Sequence, residues 1–181
     1  MQANLAEYSI GNYRAGPRWK VLIWYLINYY IFYSRFPFPS KIKVALLRLF
    51  GAGVGTGVVI KSLVRIKNPW RLIIGNNCWI GEEVWIDNIV QVVIGNNVCL
   101  SQGAILLTGN HDYSVSNFPP RYEKIELEDG VWICGKAVVC PGVVCHSHSV
   151  LTVNSVATKD LEAKKIYAGN PAVFIRNRVI R

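Results

Sequence analysis

The fold is decided by residues 127–157, which read LEDGVWICGKAVVCPGVVCHSHSVLTVNSVA. Aliphatic or small residues occupy every sixth position of this stretch: Leu127, Ile133, Val139, Cys145, Leu151 and Ala157. Four positions after each of the first five lies another small residue: Val131, Ala137, Val143, Ser149 and Ser155. A period of six fits neither an α-helix nor a hairpin sheet, but it fits a parallel β-helix with one hexapeptide on each side of a triangular prism. The pattern therefore predicts a mainly β fold.

The same step of six runs upstream, in three sets separated by steps of eight. The sets are Val54, Ile60 and Ile66, then Ile74, Ile80 and Ile86, then Ile94, Leu100 and Leu106. Each early coil therefore carries two extra residues at one corner, and after Leu106 this corner opens into a long loop at 110–126. We predict about five triangular coils, starting near Val54, Ile74, Ile94, Leu127 and Cys145. Coils of this length are expected to be left-handed, against the usual rule for crossovers.

The alternative fold is an α/β domain, in which buried aliphatic strands are also common. Such a domain needs amphipathic helices between its strands, and residues 54–157 contain no convincing one. Gly-Asn-Asn, at 75–77 and again at 95–97, instead supplies residues that tolerate left-handed turns. The repeat therefore favours the left-handed parallel β-helix.

The chain divides into three segments. Residues 1–50 are expected to form an N-terminal helical and aromatic segment, 51–162 the β-helix, and 163–181 a C-terminal turn and basic tail. The most apolar stretch, 21–33, is too short to span a bilayer. Two interpretations of it stay open: a helix packed on the end of the prism, or an aromatic helix lying on a membrane surface beside basic residues.

Composition narrows the cellular setting and the partners. The first fifteen residues are polar, unlike a secretory signal, and the five cysteines form no CxxC pair. We expect a reducing, cytoplasmic location, with peripheral contact at a membrane surface as a further option. The net charge is +9, but the basic residues are not interleaved with a nucleic-acid-binding module, so no nucleic acid partner is predicted.

Several motifs add to the ladder. They are Thr108-Gly-Asn-His111-Asp112, Gly130-Val-Trp132-Ile-Cys-Gly135, Pro141-Gly-Val143, Thr158-Lys-Asp160 and Ala168-Gly-Asn-Pro171. Together they resemble the hexapeptide-repeat acyltransferases, which include the galactoside and maltose O-acetyltransferases. Arg48-Leu-Phe-Gly-Ala52, Val58-Val-Ile60 and Pro69-Trp70 resemble the colanic acid biosynthesis acetyltransferase group in particular. The resemblance implies an O-acetyltransferase that moves an acetyl group from acetyl-CoA to a sugar hydroxyl of an exopolysaccharide or its precursor.

His111 is the candidate catalytic residue. It lies at the start of the one loop that interrupts the repeat, and loops on rigid scaffolds often carry catalytic groups. An imidazole suits a general base near neutral pH. The resemblance also places the catalytic histidine of the family on His111. Asp112 is open to two interpretations, as a group that orients the imidazole or as a turn residue.

The resemblance implies that the coenzyme A arm runs along the later coils. The residues at the corresponding positions are Gly135, Val153, Thr158, Lys159, Arg176 and Trp132. Lys159 and Arg176 suit the phosphates of the cofactor, and Trp132 is either a lid or a surface aromatic. Gly135 replaces a small hydroxyl residue that is frequent in relatives, and Val173 stands where some relatives have Arg.

The acceptor site is expected among groups that suit a sugar, which are Glu83, Asp87, Asn88 and Tyr113. The acceptor that the resemblance implies is a sugar or a lipid-linked glycan. A lipid-linked acceptor at the inner membrane would add peripheral contact with that membrane as an option. The resemblance further implies a homotrimer with active sites between subunits. In this sequence the loop 110–126, with Phe118-Pro-Pro120, is the segment that could reach a neighbour.

Two alternatives to this function remain. One is a non-catalytic β-helix scaffold that docks on a membrane or an assembly through its aromatic N-terminal segment. The other is a zinc hydratase, suggested by Cys145, His146 and His148. In the repeat, Cys145 points inward while the two histidines fall on turn or outward positions, so no metal is predicted.

Overall fold

The structure is a computed structural model, described over residues 2–11 and 13–180. Three parallel sheets form the sides of a prism, and the predicted left-handed parallel β-helix is confirmed. Sheet A contains β1 (Gly53–Val54), β4 (Leu72–Ile74), β7 (Val92–Ile94), β12 (Ile125–Leu127) and β15 (Val144–Cys145). Sheet B contains β2 (Val59–Ile60), β5 (Trp79–Ile80), β8 (Cys99–Leu100), β13 (Trp132–Ile133), β16 (Val150–Leu151), β18 (Lys165–Gly169) and β19 (Ala172–Asn177). Sheet C contains β3 (Arg65–Ile66), β6 (Trp85–Asp87), β9 (Ile105–Leu107), β14 (Val138–Val139) and β17 (Val156–Ala157).

The strand register reproduces the spacing of the sequence. In sheet A, Gly53, Ile73, Val93, Glu126 and Val144 stack in neighbouring strands. Successive members of this row lie 20, 20, 33 and 18 residues apart along the chain. The steps of 20 contain the two extra residues at the corner between sheets C and A, and the step of 33 contains the long loop. This corner is called the C/A corner below.

The predicted inward positions form the core. All of them are buried except Val54 in the first coil, which is half-buried. The predicted turn residues Asn77 and Asn97 have φ values of 56° and 55°, in the left-handed region where Asn is tolerated. The six-residue pattern therefore separates core from corner correctly.

The last coil extends beyond residue 162. Leu161 forms a bridge with Cys145, β18 continues sheet B beside β16, and β19 pairs antiparallel with β18. The segment predicted as a turn and basic tail thus contains a strand pair. Arg178 then donates hydrogen bonds to the backbone carbonyls of Gly130 (2.9 Å) and His148 (3.1 Å). These bonds hold the chain end against two earlier coils.

Two helices cover the other end of the prism. They are α1 (Arg18–Ile27), which continues into a π-helical turn (Asn28–Phe32), and α2 (Ser40–Leu49). Short 3-10 turns at Leu5–Glu7 and Pro69–Arg71 complete the helical elements of the described residues. The packing interpretation of the apolar segment is confirmed, because Trp24 and Phe32 are buried in the core.

These helices satisfy backbone groups that the first coil leaves without a neighbouring strand. The Trp24 indole donates to the Ile66 carbonyl (2.8 Å), and the buried Lys43 ammonium donates to the Lys61 carbonyl (2.6 Å). The Ser40 hydroxyl accepts from the Ile60 amide (3.0 Å). An open strand edge would otherwise pair with other chains, so the helices act as a cap. Within the described residues, none of the helices combines the length and the apolar character needed to cross a membrane.

An asparagine ladder crosses the C/A corner of the first coils. The Asn88 side chain accepts from the amides of Lys67 (3.1 Å) and Asn68 (3.0 Å). Its amide group donates to the carbonyls of Asn68 (2.6 Å) and Arg71 (3.2 Å). Asn68 in turn donates to the Asn88 carbonyl (3.0 Å). Both side chains are buried, so they replace water for the backbone of the corner.

We expect Trp24→Phe to lower the free energy of unfolding by about 2 kcal/mol, because it leaves the buried Ile66 carbonyl without a donor. Trp19→Phe on the same helix is the control, since Trp19 is largely exposed. Urea denaturation at a fixed protein concentration measures both. Equal effects of the two substitutions would contradict the capping role of Trp24.

We expect Asn88→Ala to lower the free energy of unfolding by about 3 kcal/mol, because it strips hydrogen bonds from several buried backbone groups. Gln102→Ala, at an exposed position of a later coil, should change it by less than about 0.5 kcal/mol. Thermal unfolding followed by circular dichroism tests the pair. A loss at Asn88 no larger than at Gln102 would show that the ladder does not stabilise the corner.

Candidate active site

The loop that leaves the C/A corner begins as a hairpin. Strand β10 (Gly109–His111) pairs antiparallel with β11 (Pro120–Tyr122). The hairpin follows β9 of sheet C and precedes β12 of sheet A, so the rigid prism fixes both of its ends. This placement projects the His111 side chain from the corner of the third coil.

Phe118 holds the His111 imidazole on two sides. The Nδ1 atom of His111 lies 3.0 Å from the Phe118 carbonyl oxygen. The two rings stack with centroids 4.6 Å apart and planes inclined by 11°. A carbonyl can only accept, so Nδ1 carries the hydrogen and Nε2 of the neutral ring keeps its lone pair. The imidazole is therefore oriented to take a proton at Nε2.

Sequence reasoning did not identify Phe118 as this group. The Phe118 ring lies on His111 of its own chain. The expected reach of loop 110–126 to a neighbouring subunit stays a prediction. Phe118 has a φ of 52°, in the left-handed region that residues with a side chain rarely adopt. The local sequence does not predict a left-handed backbone at this position, because Phe is not a typical residue for that conformation.

Asp112 is a turn residue, the second of the two interpretations open to it. One carboxylate oxygen accepts from the Ser114 amide (3.0 Å) and hydroxyl (2.5 Å), and the other pairs with Arg121. These hydrogen bonds from Ser114, together with the Arg121 charge, lower the pKa of the carboxyl group. The carboxylate thus braces the hairpin, while the Phe118 carbonyl orients the imidazole.

His111 faces a cavity of about 390 Å³. At its floor, Lys67 Nζ lies 2.8 Å from the Asp87 carboxylate. Its walls include Tyr8 and Tyr13 from the N-terminal tail and Tyr122 from β11. The Tyr8 ring centroid is 5.7 Å from that of His111, and the Tyr13 and Tyr122 centroids are 5.2 Å apart. Aromatic faces beside an ion pair suit a polar ring such as a sugar.

Part of this cavity was missed from the sequence. Lys67 could have been found, because it lies 20 residues before Asp87, which is one full coil in this region. Tyr8 and Tyr13 could not, since they belong to the polar tail before the repeat and only the fold returns them to the corner. The backbone bond from the Asn4 amide to the Ser116 carbonyl (2.7 Å) fastens this tail to the loop.

The four predicted acceptor residues lie in four different settings. Asp87 lines the His111 cavity. Asn88 was wrongly predicted to contact substrate, since its side chain is buried and its polar atoms already bind the backbone. Glu83 is a turn residue with a φ of 60° at the corner between sheets B and C, where it lines a different cavity with Lys136. Tyr113 is 86% exposed at the tip of the loop.

The predicted cofactor residues lie on the last two coils. Gly135 and Val153 occupy successive coils at the corner between sheets B and C, joined by the Asn154 amide, which donates to the Gly135 carbonyl (3.1 Å). Thr158 and Lys159 follow β17 at the C/A corner, two coils from the His111 loop. Two spacings between neighbouring strands therefore separate Thr158 and Lys159 from the loop by roughly 10 Å along the prism. The described residues that line the His111 cavity include none from these coils.

Sheet B carries the remaining two cofactor candidates. Trp132 is 42% exposed, and its indole donates to the Ser101 hydroxyl (2.9 Å). Arg176 lies on β19 and is exposed. A Cβ placed at Gly135 would meet only the Gln102 carbonyl, at 3.4 Å, so the corner there is open enough for a ligand to approach the backbone. An exposed basic edge beside open backbone suits a long phosphorylated ligand.

The histidines of the later coils contact polar side chains, and the cysteines there are wholly or partly buried. His146 Nδ1 lies 2.9 Å from a Glu128 oxygen, which lowers the pKa of that carboxyl, and His148 contacts the Ser147 hydroxyl (2.6 Å). Burial raises the pKa of Cys134 to about 11 and also raises that of Cys145. Across residues 2–11 and 13–180, no group of three or more His, Cys, Asp or Glu side chains is arranged to hold a metal ion.

Known proteins share both the sequence and the fold. The chain is 34% identical over 177 residues to WcaF of Escherichia coli strain K12, a protein assigned by its name to colanic acid biosynthesis as an acetyltransferase, and the match covers 97% of each chain. It is 27% identical over 150 residues to the galactoside O-acetyltransferase of the same organism, covering 76% of this chain and 70% of the relative. No protein-family model matches the sequence.

Two solved structures show the same β-helix. A hexapeptide-repeat acetyltransferase of Vibrio cholerae, in complex with acetyl coenzyme A, superposes with a TM-score of 0.79 at 21% identity, covering 90% of this chain and 87% of the other. A galactoside acetyltransferase in complex with coenzyme A gives 0.78 at 24% identity, covering 87% and 80%. The likeness in fold and the match to WcaF over 97% of each chain both indicate the same family. The chain belongs to the hexapeptide-repeat acyltransferase family and, within it, to the coenzyme A-dependent acetyltransferases.

Proposed function

We propose that the protein transfers an acetyl group from acetyl-CoA to a hydroxyl of a sugar in an exopolysaccharide or its precursor, with His111 as the general base. The observation that carries the proposal is the hydrogen bond between His111 Nδ1 and the Phe118 carbonyl, which leaves Nε2 free to accept a proton. The family membership favours this enzyme over a non-catalytic scaffold. We place the reaction in the cytoplasm, where acetyl-CoA is available.

The chemistry follows from the orientation of the ring. Acetyl-CoA supplies an activated acyl group as a thioester. His111 Nε2 takes the proton of the acceptor hydroxyl while that oxygen attacks the acyl carbon. The imidazolium then donates to the Phe118 carbonyl from Nδ1 and returns its proton from Nε2 to the departing sulfur. The proton released by the hydroxyl thus ends on the thiol, and no further reactant is needed.

The cavity beside His111 supports a sugar as the acceptor. Asp87 and Lys67 supply a hydrogen-bond acceptor and a donor for hydroxyl groups, and Tyr13 and Tyr122 supply flat apolar faces. The relative WcaF is named for colanic acid, and the other relative for galactosides. Both names point to a carbohydrate. Tyr113, exposed at the loop tip, is retained as a further acceptor contact.

The donor groove is proposed on the last two coils. Lys159 and Arg176 are exposed basic side chains for the phosphates, next to Thr158 and the open backbone at Gly135. Val153 and Trp132 offer exposed apolar surface to the pantetheine arm. Residues of these coils do not line the His111 cavity of the same chain, so we propose a homotrimer in which the groove of one subunit faces His111 of the next.

We expect His111→Ala to reduce the rate of acetyl transfer by about 10²-fold or more, because it removes the general base. Acetyl-CoA should still bind with its original affinity, since the imidazole contacts the acceptor side of the reaction. A thiol-release assay with a panel of sugar acceptors measures the rate, and calorimetry measures donor binding. His146→Ala is the matched control and should leave the rate unchanged, because His146 pairs with Glu128 outside the cavity.

Full activity of the His111→Ala protein would contradict the proposed mechanism. Equal losses in both histidine variants would point to a general loss of structure, which circular dichroism would reveal.

We expect Lys159→Ala to weaken acetyl-CoA binding about tenfold, because a charge-assisted contact to a phosphate is lost. Raising the salt concentration should reduce the difference in acetyl-CoA affinity between this variant and the unmodified protein, because salt screens the lost charge interaction. Lys61→Ala, which removes an exposed lysine at the other end of the prism, is the control. Calorimetric titration with acetyl-CoA measures the three affinities. Equal affinities of all three proteins would show that Lys159 does not contact the donor.

A further inference from the structure

Helix α1 is apolar on opposite sides. Its inner side packs on the prism through Trp24, and the π-helical turn continues that side with Phe32. The opposite side of α1 and of this turn forms a stripe of apolar side chains at helical spacing, here called the outer face of α1: Trp19, Leu22, Ile23, Leu26, Tyr29 and Tyr30. These six are 44–65% exposed, although a helix on the surface of a globular protein normally turns polar residues outward. A contiguous exposed apolar face of this kind marks an interaction site.

The charge distribution indicates which kind of partner would bind to the outer face. Residues 8–81, which include the cap and the first coil, contain eleven Lys and Arg and no Asp or Glu. The rest of the chain contains nine basic and eleven acidic residues, so the net positive charge arises entirely from 8–81. Arg18 and Lys20 lie at the start of α1, and Arg35 and Lys41 follow its π-helical turn. An apolar stripe flanked by uncompensated cations complements an anionic lipid surface.

A chain of cavities connects this region with His111. The first, of about 690 Å³, is lined by Arg14, Arg18, Leu22 and Tyr25. The second, of about 420 Å³, shares Tyr25 with the first and is lined by Arg65 and Lys67. The third is the His111 cavity, which shares Lys67 with the second. Tyr13 lines all three, so the cavities adjoin one another along the N-terminal tail.

We propose that the outer face of α1 docks on the surface of an anionic lipid bilayer. In this arrangement α1 lies along the interface, with its apolar side chains among the headgroups and upper acyl chains, while the flanking Arg and Lys side chains contact lipid phosphates. The prism points away from the bilayer, since α1 covers its first coil. A symmetric contact between the outer faces of two copies is disfavoured, because it would bring two regions without acidic residues together.

The three adjoining cavities connect the docked helix with His111 and so indicate how docking would serve acetyl transfer. This step of the inference rests on the proposed function. An acceptor glycan anchored in the bilayer by a lipid phosphate would enter beside Leu22 and Tyr25. Its phosphates would pass the basic side chains of Arg14, Arg18 and Arg65, and its sugar would reach His111.

Co-sedimentation with vesicles tests the docking. The whole 181-residue chain is mixed with vesicles of phosphatidylcholine alone or with added phosphatidylglycerol, at low and at high salt. We expect binding to the anionic vesicles that falls steeply with salt. The double variant Leu22→Gln, Leu26→Gln should reduce partitioning about tenfold or more, because both side chains lose their apolar contact with lipid. The matched control Val179→Gln, Ile180→Gln changes two similarly exposed aliphatic residues near the chain end and should bind as the unmodified protein does.

Absence of binding to anionic vesicles at low salt would overturn the proposal, as would an equal loss in the control variant. A change of sedimentation mass in the Leu22, Leu26 variant without lipid binding by the parent protein would identify the face as a contact between copies, and would also overturn it. Acetyl-CoA titration of the same samples separates this proposal from the proposed function. Vesicle binding without acetyl-CoA binding would refute only the proposed function, whereas the reverse would refute only the docking.

Discussion

The stacking of each coil on the previous one is the constraint on which the rest of this structure depends. Every inward aliphatic side chain rests on its equivalent one coil away, so the chain must return to the same position at each circuit. Additional residues are tolerated only where they leave the sheets, and in this protein they collect at the C/A corner. The Asn68–Asn88 ladder, the Lys67–Asp87 pair and the His111 hairpin all lie there. The candidate site is thus located where the repeat permits insertions.

The same constraint creates two ends that must be closed in different ways. At the C-terminal end, β18 and β19 extend sheet B, and Arg178 secures them to earlier coils. At the N-terminal end, side chains of the two helices satisfy the backbone of the first coil. Burying one side of α1 completes the cap but does not explain its apolar outer face. An apolar outer side is not needed for capping, because the capping bonds come from Trp24 and from residues further along the chain.

The sequence predicts the prism well and the site in part. Six-residue periodicity identifies the inward residues, the left-handed turns at Asn77 and Asn97, and the corner from which the loop leaves, because each depends on a repeated local pattern. The separation of 20 residues between neighbouring strands also predicts that Lys67 and Asp87 lie side by side. Tyr8, Tyr13 and Phe118 are not predictable in this way, since a non-repetitive tail and an unusual backbone conformation bring them to His111. Asn88 looks like a polar surface residue in sequence, yet its coil buries it.

Orientation of His111 by a backbone carbonyl has a chemical consequence. A carboxylate partner would stabilise the protonated ring through its full negative charge, whereas a carbonyl offers only a dipole. The Phe118 carbonyl therefore fixes the hydrogen on Nδ1 without placing a second charge beside the ring. Because Asp112 is engaged by Ser114 and Arg121, its charge is directed into the hairpin rather than toward the imidazole. The loop thus uses a nearby carboxylate for its own rigidity and leaves the imidazole with a neutral partner, so the backbone at Phe118 fixes the tautomer and the orientation of His111.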